Sequence, residues 1–157
     1  MQTILFLCTG NYYRSRYAEL LFNAVAGAAG LGWRAESSGL LVKPGVNPGP
    51  IAAPTLAALR DAGIEPPRAA IERYPVQVTE AELAGAAIVV ALKEAEHRPL
   101  LAASYPGWEE RVVYWHIHDL DKATAVAALG EIDRLVRVLV DELGELTAKS
   151  GPTTSGR

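Results

Sequence analysis

The segment from Cys8 to Ser15 combines residue types that together can bind an oxyanion and attack it. It reads Cys-Thr-Gly-Asn-Tyr-Tyr-Arg-Ser, so five residues separate a thiol from a guanidinium. Gly10 and Asn11 accept the unusual backbone angles of a tight curl, in which successive N–H groups point at one centre. Arg14 can return its planar fork to two oxygens of a bound oxyanion. The spacing therefore predicts an anion-binding loop with Cys8 as its nucleophile.

The elements on either side of this loop suit that chemistry. Ile4 to Leu7 form a continuous apolar run, which is typical of a strand buried on both faces. Apolar residues then recur at three- and four-residue steps from Tyr17 to Ala28 and predict a helix. The start of a helix favours a bound anion and a thiolate at Cys8, to which Ser15 can donate a hydrogen bond. A lone cysteine is more often a small buried hydrophobic residue, but the strand–loop–helix context favours the nucleophile.

Strands and helices alternate along the rest of the chain. This order implies a parallel sheet with helices on both faces, and ligands of such sheets bind at the carboxyl ends of the strands, where Cys8 lies. Thr79 and Glu82 form a possible capping box at the start of one helix. The later strands are predicted at 33–38, 86–92 and 112–117. Four later helices are predicted: one that ends near 63, a short one that begins near 79, and two that span 94–103 and 126–143.

Composition excludes several classes of protein. The chain has 157 residues, a formal net charge of −3 and one cysteine. A nucleic-acid binder that relies on bulk charge is basic, and a disulfide within the chain or a Cys-rich metal site needs more cysteines. No apolar run approaches the ~20 residues that cross a bilayer. We expect a cytoplasmic monomer with a single domain at 1–147 and a flexible C-terminal tail at 148–157.

The loop resembles that of the low-molecular-weight protein tyrosine phosphatases, in which Cys, five residues and Arg precede Ser or Thr. Further positions that resemble the family are Ala18-Glu19, Ser37-Ser38-Gly39 and Gly63-Ile64. The chain can be laid on the family's order of elements from about 3 to 145. The resemblance implies a three-layer, doubly wound α/β sandwich with a central four-stranded parallel sheet in the flavodoxin-like order 2-1-3-4.

The resemblance also implies a mechanism. Cys8 attacks phosphorus and forms a cysteinyl phosphate, while the loop and Arg14 hold the equatorial oxygens as charge develops. The substrate-binding residues of the loop are then Thr9, Gly10, Asn11, Tyr12, Tyr13 and Ser15. We expect a phosphorylated protein or a small phosphomonoester as substrate, inorganic phosphate or other oxyanions as competitive ligands, and no metal or cofactor.

The general acid of the family stands in an Asp-Pro dipeptide on a late loop before the last helix. The corresponding stretch here runs from His116 to Asp121. Asp119 is the first candidate and Asp121 the second, and the alternative is that either one only caps the final helix. His116 and His118 point to one side of a strand and raise the possibility of a metal site. Because His97 is the only further histidine, we expect none.

The sequence departs from the family pattern at several places. Tyr13 stands where a second cysteine is usual, so Cys8 cannot form a protective disulfide. Arg16 replaces a proline and is expected to add positive charge at the rim of the pocket. Arg68 stands where the family often has a buried histidine that supports the loop. The family's aromatic pair beside phosphotyrosine is absent, and Tyr12 and Tyr13 either form an aromatic wall in its place or simply pack.

Two other functions fit the loop. An arsenate reductase binds arsenate in the same nest; the cysteine count excludes members that shuttle a disulfide within the chain but leaves those that use an external small thiol. The altered acid loop raises a second alternative, a non-catalytic phosphate-binding module. The pairing of Cys8 with Arg14 favours the phosphatase over that module, because binding alone needs no reactive thiol.

Overall fold

A four-stranded, all-parallel sheet forms the middle of the structure, a computed structural model that describes residues 1–117 and 124–149. The strands are β1 (Gln2–Cys8), β2 (Trp33–Gly39), β3 (Ile88–Ala91) and β4 (Val113–Tyr114), in the spatial order β2-β1-β3-β4. The expected α/β class and strand order are confirmed. Since β1 lies between β2 and β3, the chain leaves it first toward one edge and later toward the other. Its carboxyl end is thus a topological switch point.

Six α-helices cover the sheet within the described residues. They are α1 (Arg14–Ala28), α2 (Ala53–Asp61), α3 (Arg68–Glu72), α4 (Glu80–Gly85), α5 (Glu94–Ser104) and α6 (Ala125–Lys149). The sequence pattern did not predict α3, which has five residues and follows two prolines. Pro54 lies in the first turn of α2, where the N–H that proline lacks would have no intrahelical partner.

The capping box at the start of α4 is confirmed in both of its arms. Thr79 Oγ1 accepts a hydrogen bond from the backbone N–H of Glu82 at 3.1 Å. In return, the Thr79 N–H donates to the Glu82 carboxylate at 3.0 Å. These reciprocal bonds satisfy two backbone donors that the helix start leaves unpaired.

The side chains of β1 are buried on both faces of the sheet, as its apolar run predicts. Ile4, Leu5, Phe6 and Leu7 have no exposed surface. Ile4 and Phe6 belong to the core beneath α1 and α6, whereas Leu5 and Leu7 pack with residues of α4 and α5. Two hydrophobic cores therefore hold one central strand, and the position of Cys8 at its end is determined from both sides.

The edge strand β4 is shorter than the sequence predicts, because only two residues of the expected 112–117 form a regular ladder. Its backbone nevertheless stays attached to the end of β3. The N–H groups of Trp115 and Ile117 donate to the carbonyl groups of Ala91 and Leu92, at 2.9 and 3.0 Å. The chain thus reaches the carboxyl end of the sheet before it enters 118–123, which lies outside the described residues.

The last helix extends past the stripe that predicted it. It ends at Lys149, and the remainder of the expected tail, 150–157, is outside the described residues. The domain boundary at 147 and the flexibility of the tail stay predictions. Within the part of the chain that the structure describes, no helix is both long enough and apolar enough to span a bilayer.

Gly39 lets β2 approach the loop after β1. It is the register partner of Cys8, and a Cβ built on it would lie 2.8 Å from the carbonyl oxygen of Thr9 and 2.5 Å from a methyl group of Val42. The backbone oxygen cannot move without moving the loop. A glycine is therefore needed here for close approach, not for an unusual backbone angle.

We expect the substitution Gly39→Ala to lower the free energy of unfolding by about 1–3 kcal/mol, the usual cost of overpacking. Gly27→Ala is the matched control. Gly27 is exposed in the last turn of α1 and a Cβ there meets nothing within 4 Å, so alanine should stabilise by about 0.5–1 kcal/mol. Urea unfolding followed by tryptophan fluorescence measures both. A stabilising effect of Gly39→Ala would show that the close approach does not exist.

Candidate active site

The loop between β1 and α1 is shaped by hydrogen bonds to its own carbonyl groups. Four of them accept from the segment that follows β2 and from α2, at 2.9 to 3.0 Å: Cys8 from Leu40 N–H, Thr9 from Leu41 N–H, Tyr12 from Ala52 N–H, and Tyr13 from the Thr55 hydroxyl. In a trans peptide the N–H points opposite to the C=O. The N–H groups that follow these carbonyls therefore point away from that segment, which leaves them available to a bound anion.

Cys8 lies at the end of β1, beneath the start of α1, and only 3% of its surface is exposed. Its thiol donates a hydrogen bond to Ser15 Oγ at 2.9 Å. Ser15 Oγ also accepts from the amide of Asn11 at 2.9 Å. When the thiol is ionised, the hydroxyl proton of Ser15 can be donated to the sulfur. The contact then stabilises a thiolate at Cys8.

Asn11 is fully buried and has a φ of 52°, which places a non-glycine residue in the left-handed region. Its side-chain nitrogen donates to the hydroxyl groups of Ser15 and Ser37, both at 2.9 Å. Its side-chain oxygen accepts from Arg73 at 3.0 Å and from the N–H of Val76 at 3.1 Å. An amide has two donor protons and two acceptor sites, so every one is used. The loop conformation is therefore fixed from three separate parts of the chain.

Arg73 supports the loop, whereas Arg68, which stands where the family often has a supporting histidine, is exposed at the surface. Arg73 bonds to Asn11 and also donates to Glu19 at 3.0 Å and to Ser37 at 3.1 Å. Arg68 has 91% of its side chain exposed and pairs with Glu72 one turn along α3. Nothing local in the sequence indicates this role of Arg73, because its partner Asn11 is 62 residues away.

Arg16 lies beneath the loop with no exposed surface, so the expectation that it adds charge at the rim is wrong. It donates to the carbonyl oxygens of Pro50 at 2.9 Å and Ala70 at 2.7 Å, and so joins the segment before α2 to α3. Burial and the nearby charge of Arg73 lower the pKa of Arg16 to about 10, so it stays charged at neutral pH. Negative charge on Cys8 acts on that pKa in the opposite direction, which means that the two groups attract each other.

Glu96 is a site residue that the sequence did not reveal. It lies in the first turn of α5, and its carboxylate accepts from the guanidinium of Arg14 at 3.0–3.3 Å and from the hydroxyl of Thr9 at 2.5 Å. Burial by itself would raise the pKa of Glu96, but the hydrogen bonds from Arg14 and Thr9 outweigh it and hold the pKa below its ordinary value. The carboxylate is therefore ionised at neutral pH. Because Glu96 and Arg14 are 82 residues apart, no motif or spacing in the sequence indicates that they pair.

The hydroxyl groups of the two loop tyrosines donate hydrogen bonds to different parts of the chain. Tyr12 donates its hydroxyl proton to the carbonyl of Pro48 at 2.5 Å. Tyr13 packs against the core beneath α1 and donates to the carbonyl of Ala125 at 3.2 Å, at the start of α6. Of the two alternatives for these residues, packing describes Tyr13, whereas Tyr12 is hydrogen-bonded to the segment that follows β2 and is not among the residues that line the groove beside Thr9 and Gly10.

A groove of about 340 Å³ opens beside Thr9 and Gly10. Its walls are formed by residues 41–47 with Gly49, and by Tyr74 with Pro75. Much of the wall is apolar, and Tyr74 keeps 64% of its surface exposed. Lys43 supplies a positive charge, and no carboxylate lines the groove among the described residues. The groove can therefore hold an apolar or aromatic group next to an oxyanion in the loop.

Both candidates for the general acid, Asp119 and Asp121, lie outside the described residues, as does His118. The described ends of that segment flank the loop. Ile117 is hydrogen-bonded to the end of β3, and Ala125 accepts the hydrogen bond from Tyr13. His116 is exposed, and the described part of the chain holds no group of three side chains able to bind a metal ion.

Comparison with known proteins agrees with this geometry. The family model for low molecular weight phosphotyrosine protein phosphatase matches residues 3–129. A protein-arginine-phosphatase of Bacillus subtilis (strain 168) is 29% identical over 109 residues, which cover 69% of this chain and 67% of that protein.

Solved structures share the fold. A low molecular weight protein tyrosine phosphatase from T. tengcongensis superposes with a TM-score of 0.71 at 24% identity, covering 92% of this chain and 99% of that one. An arginine phosphatase from Geobacillus stearothermophilus gives a TM-score of 0.74 at 21% identity, covering 97% and 99%. At these identities the likeness establishes the architecture.

We expect Arg73→Ala to lower the free energy of unfolding by about 1–3 kcal/mol, because it removes charge-assisted hydrogen bonds from the buried amide of Asn11 and from Glu19. Arg68→Ala is the matched control and should cause no measurable change, since its ion pair is exposed. Urea unfolding at neutral pH distinguishes them. Equal losses for the two variants would contradict the assignment of Arg73 as the support of the loop.

Proposed function

Because the chain belongs to the low-molecular-weight phosphotyrosine protein phosphatase family, we propose that it hydrolyses phosphate monoesters of proteins through Cys8. The family makes it a cysteine-based phosphoric monoester hydrolase, and Cys8 is its only cysteine. One observation carries the assignment: the sulfur lies within hydrogen-bonding distance of Ser15, at the start of a loop whose carbonyl groups are bonded to the segment after β2 and to α2. The N–H groups that follow these carbonyls point away from those partners and are available to an anion. A nucleophile and an oxyanion cradle are thus in the same place.

In the first chemical step the Cys8 thiolate attacks phosphorus. An S–P bond forms, the bond from phosphorus to the leaving oxygen breaks, and Asp119 gives its proton to that oxygen. The loop amides of residues 9–15 and the guanidinium of Arg14 hold the three equatorial oxygens as charge develops on them. Once Cys8 is ionised, the hydroxyl of Ser15, 2.9 Å from the sulfur, can donate its proton to the thiolate.

In the second step water attacks the cysteinyl phosphate. The S–P bond breaks, Cys8 leaves as a thiolate, and the Asp119 carboxylate takes a proton from the water. Inorganic phosphate is the product, and the same cradle makes it a competitive ligand. No step requires a metal ion.

The choice of Asp119 as the general acid is supported by the two described ends of its segment. The N–H of Ile117 donates to Leu92, whose own N–H donates to Leu7, the residue before Cys8, and Ala125 accepts the hydrogen bond from Tyr13. The six residues between 117 and 124 thus connect two points that are both tied to elements around the loop. Asp119 is preferred over Asp121 because it is the aspartate closer to the strand predicted at 112–117, as in the family pattern that the sequence resembles.

We propose phosphotyrosine as the phosphorylated residue. The groove beside Thr9 and Gly10 has apolar walls, Tyr74 among them, that suit a phenyl ring. Phosphoarginine is the second candidate, because the Bacillus subtilis relative is named a protein-arginine-phosphatase. A guanidinium in this groove would meet Lys43 and no carboxylate among the described lining residues, which favours the aromatic substrate.

We further propose that the protein works as a monomer in a reducing compartment such as the cytoplasm. The catalytic thiol must stay reduced, and the position next to Arg14 that could supply a resolving cysteine holds Tyr13 instead. An external thiol is therefore needed to restore oxidised Cys8.

We expect the parent protein to hydrolyse p-nitrophenyl phosphate, and Cys8→Ser to abolish the reaction while still binding inorganic phosphate, since serine is a far weaker nucleophile than a thiolate. Thermal stabilisation by phosphate reports whether the variant is folded. Phosphotyrosine and phosphoarginine peptides of one sequence then decide the substrate, with the larger kcat/KM expected for phosphotyrosine.

Other outcomes of this assay identify the alternatives. Thiol-dependent arsenate reduction without ester hydrolysis would replace the phosphatase with a single-cysteine arsenate reductase. Phosphate binding without either activity would leave a binding module.

The fall in kcat caused by loss of the general acid should depend on how basic the leaving group is. Asp119→Ala is expected to lower kcat on the order of 100-fold or more for phenyl phosphate, whose leaving group is strongly basic, and less for p-nitrophenyl phosphate. Asp121→Ala serves as the matched variant and should stay close to the parent with both esters. The reverse pattern would assign the acid to Asp121, and no loss in either variant would exclude both.

A further inference from the structure

Glu96 joins the two ends of the anion-binding loop from a different layer of the fold. It stands on α5, which follows β3, whereas its partners Thr9 and Arg14 lie at the beginning and the end of the loop that follows β1. We propose that Glu96 is a positioning residue that fixes the guanidinium of Arg14 for oxyanion binding. The inference rests on the proposed phosphatase function and names how its arginine is held.

The contact between Glu96 and Arg14 restrains the orientation of the planar guanidinium group. One carboxylate oxygen accepts from Nη2 of Arg14 at 3.0 Å, and the other accepts from Nη1 at 3.3 Å and Nη2 at 3.2 Å. Because the guanidinium is planar, two such contacts along its terminal edge determine the direction in which its Nε–H edge points. A lysine or a singly bonded arginine would keep the freedom to rotate.

The carboxylate is itself held in place. The hydroxyl of Thr9 donates to it at 2.5 Å, so the residue directly after Cys8 is bound to the same group as Arg14. His97 lies fully buried beside it, with Nε2 at 3.8 Å from the carboxylate. Nδ1 of His97 accepts the N–H of Lys93 at 3.0 Å, which fixes the ring at the start of α5. The side chain of Glu96 is only 30% exposed, so water screens the pair incompletely.

A carboxylate next to an oxyanion site has an opposite possible role, that of a competitor for Arg14. The described contacts favour positioning. The partners of Glu96 on the loop are the side chains of Thr9 and Arg14, not the backbone amides that form the cradle. The two roles predict opposite effects when the charge is removed: loss of a competitor tightens anion binding, whereas loss of a positioning residue weakens it.

The test compares Glu96→Ala and Glu96→Gln with the parent, using p-nitrophenyl phosphate hydrolysis and protection of Cys8 by inorganic phosphate. Cys8 is the only cysteine, so its alkylation by iodoacetamide is followed directly by mass. We expect Glu96→Ala to lower kcat/KM on the order of 10-fold to 100-fold, as misplacement of a transition-state contact does. The phosphate concentration that half-protects Cys8 should rise in parallel, and glutamine, which keeps one acceptor oxygen, should restore part of each effect.

Glu94→Gln is the matched control. Glu94 lies in the same first turn of α5 and makes an ion pair with Arg98 at 2.8 Å, away from the loop. It should leave kcat/KM and phosphate protection unchanged. The rate of Cys8 alkylation without phosphate serves as the reference within each variant, because loss of a nearby carboxylate changes the charge that acts on the sulfur. The cooperative urea unfolding transition should be retained in all variants; its loss in Glu96→Ala alone would indicate collapse of the structure and overturn the specific role for Arg14.

The two proposals fail in different ways. If the parent hydrolyses no ester, the phosphatase function fails, while protection by phosphate still reports on Glu96. Tighter phosphate protection in Glu96→Ala would make Glu96 a competitor, and unchanged protection would make the ion pair inconsequential; either result overturns the inference. A parent protein that phosphate does not protect at all would overturn both.

Discussion

The conformation of Asn11 is the constraint on which the site depends. A buried side chain with a left-handed backbone is unfavourable unless its surroundings compensate for it. Here every hydrogen-bonding position of the amide is filled, by Ser15, Ser37, Arg73 and a backbone N–H. One amide therefore links α1, β2 and the connection after α3. The curl of the loop exists because these elements meet around it.

The charges around the loop follow from the same packing. The protein as a whole is acidic, with a formal net charge of −3, so the affinity for an anion has to come from local geometry. Arg14 is held by Glu96, and Arg73 is held by Glu19. Arg16 is buried among carbonyl oxygens and remains charged. Each guanidinium has a different supporting contact, so the positive charge is fixed in place and little reorganisation is needed when an oxyanion binds.

Local patterns predicted the parts of the fold that depend on neighbouring residues. The apolar run of β1, the helical stripe of α1 and the capping box at Thr79 each involve groups only a few residues apart, and each is present. The strand order came with the family resemblance and is confirmed. The errors concern elements that depend on contacts between residues far apart in the sequence. The helix α3 was not expected. The strand β4 keeps only two residues of its predicted length because it is an edge strand at the point where the chain turns.

The sequence by itself determined the loop, because the chain between Cys8 and Arg14 is too short to do anything but curl between a buried strand and a helix. Only the tertiary structure decided what holds that loop. Arg73 is 62 residues from Asn11, and Glu96 is 82 residues from Arg14. Pairs so far apart produce no recognisable pattern in the sequence. They meet because β2 and β3 lie on opposite sides of β1, so the segments that follow those strands converge on its carboxyl end.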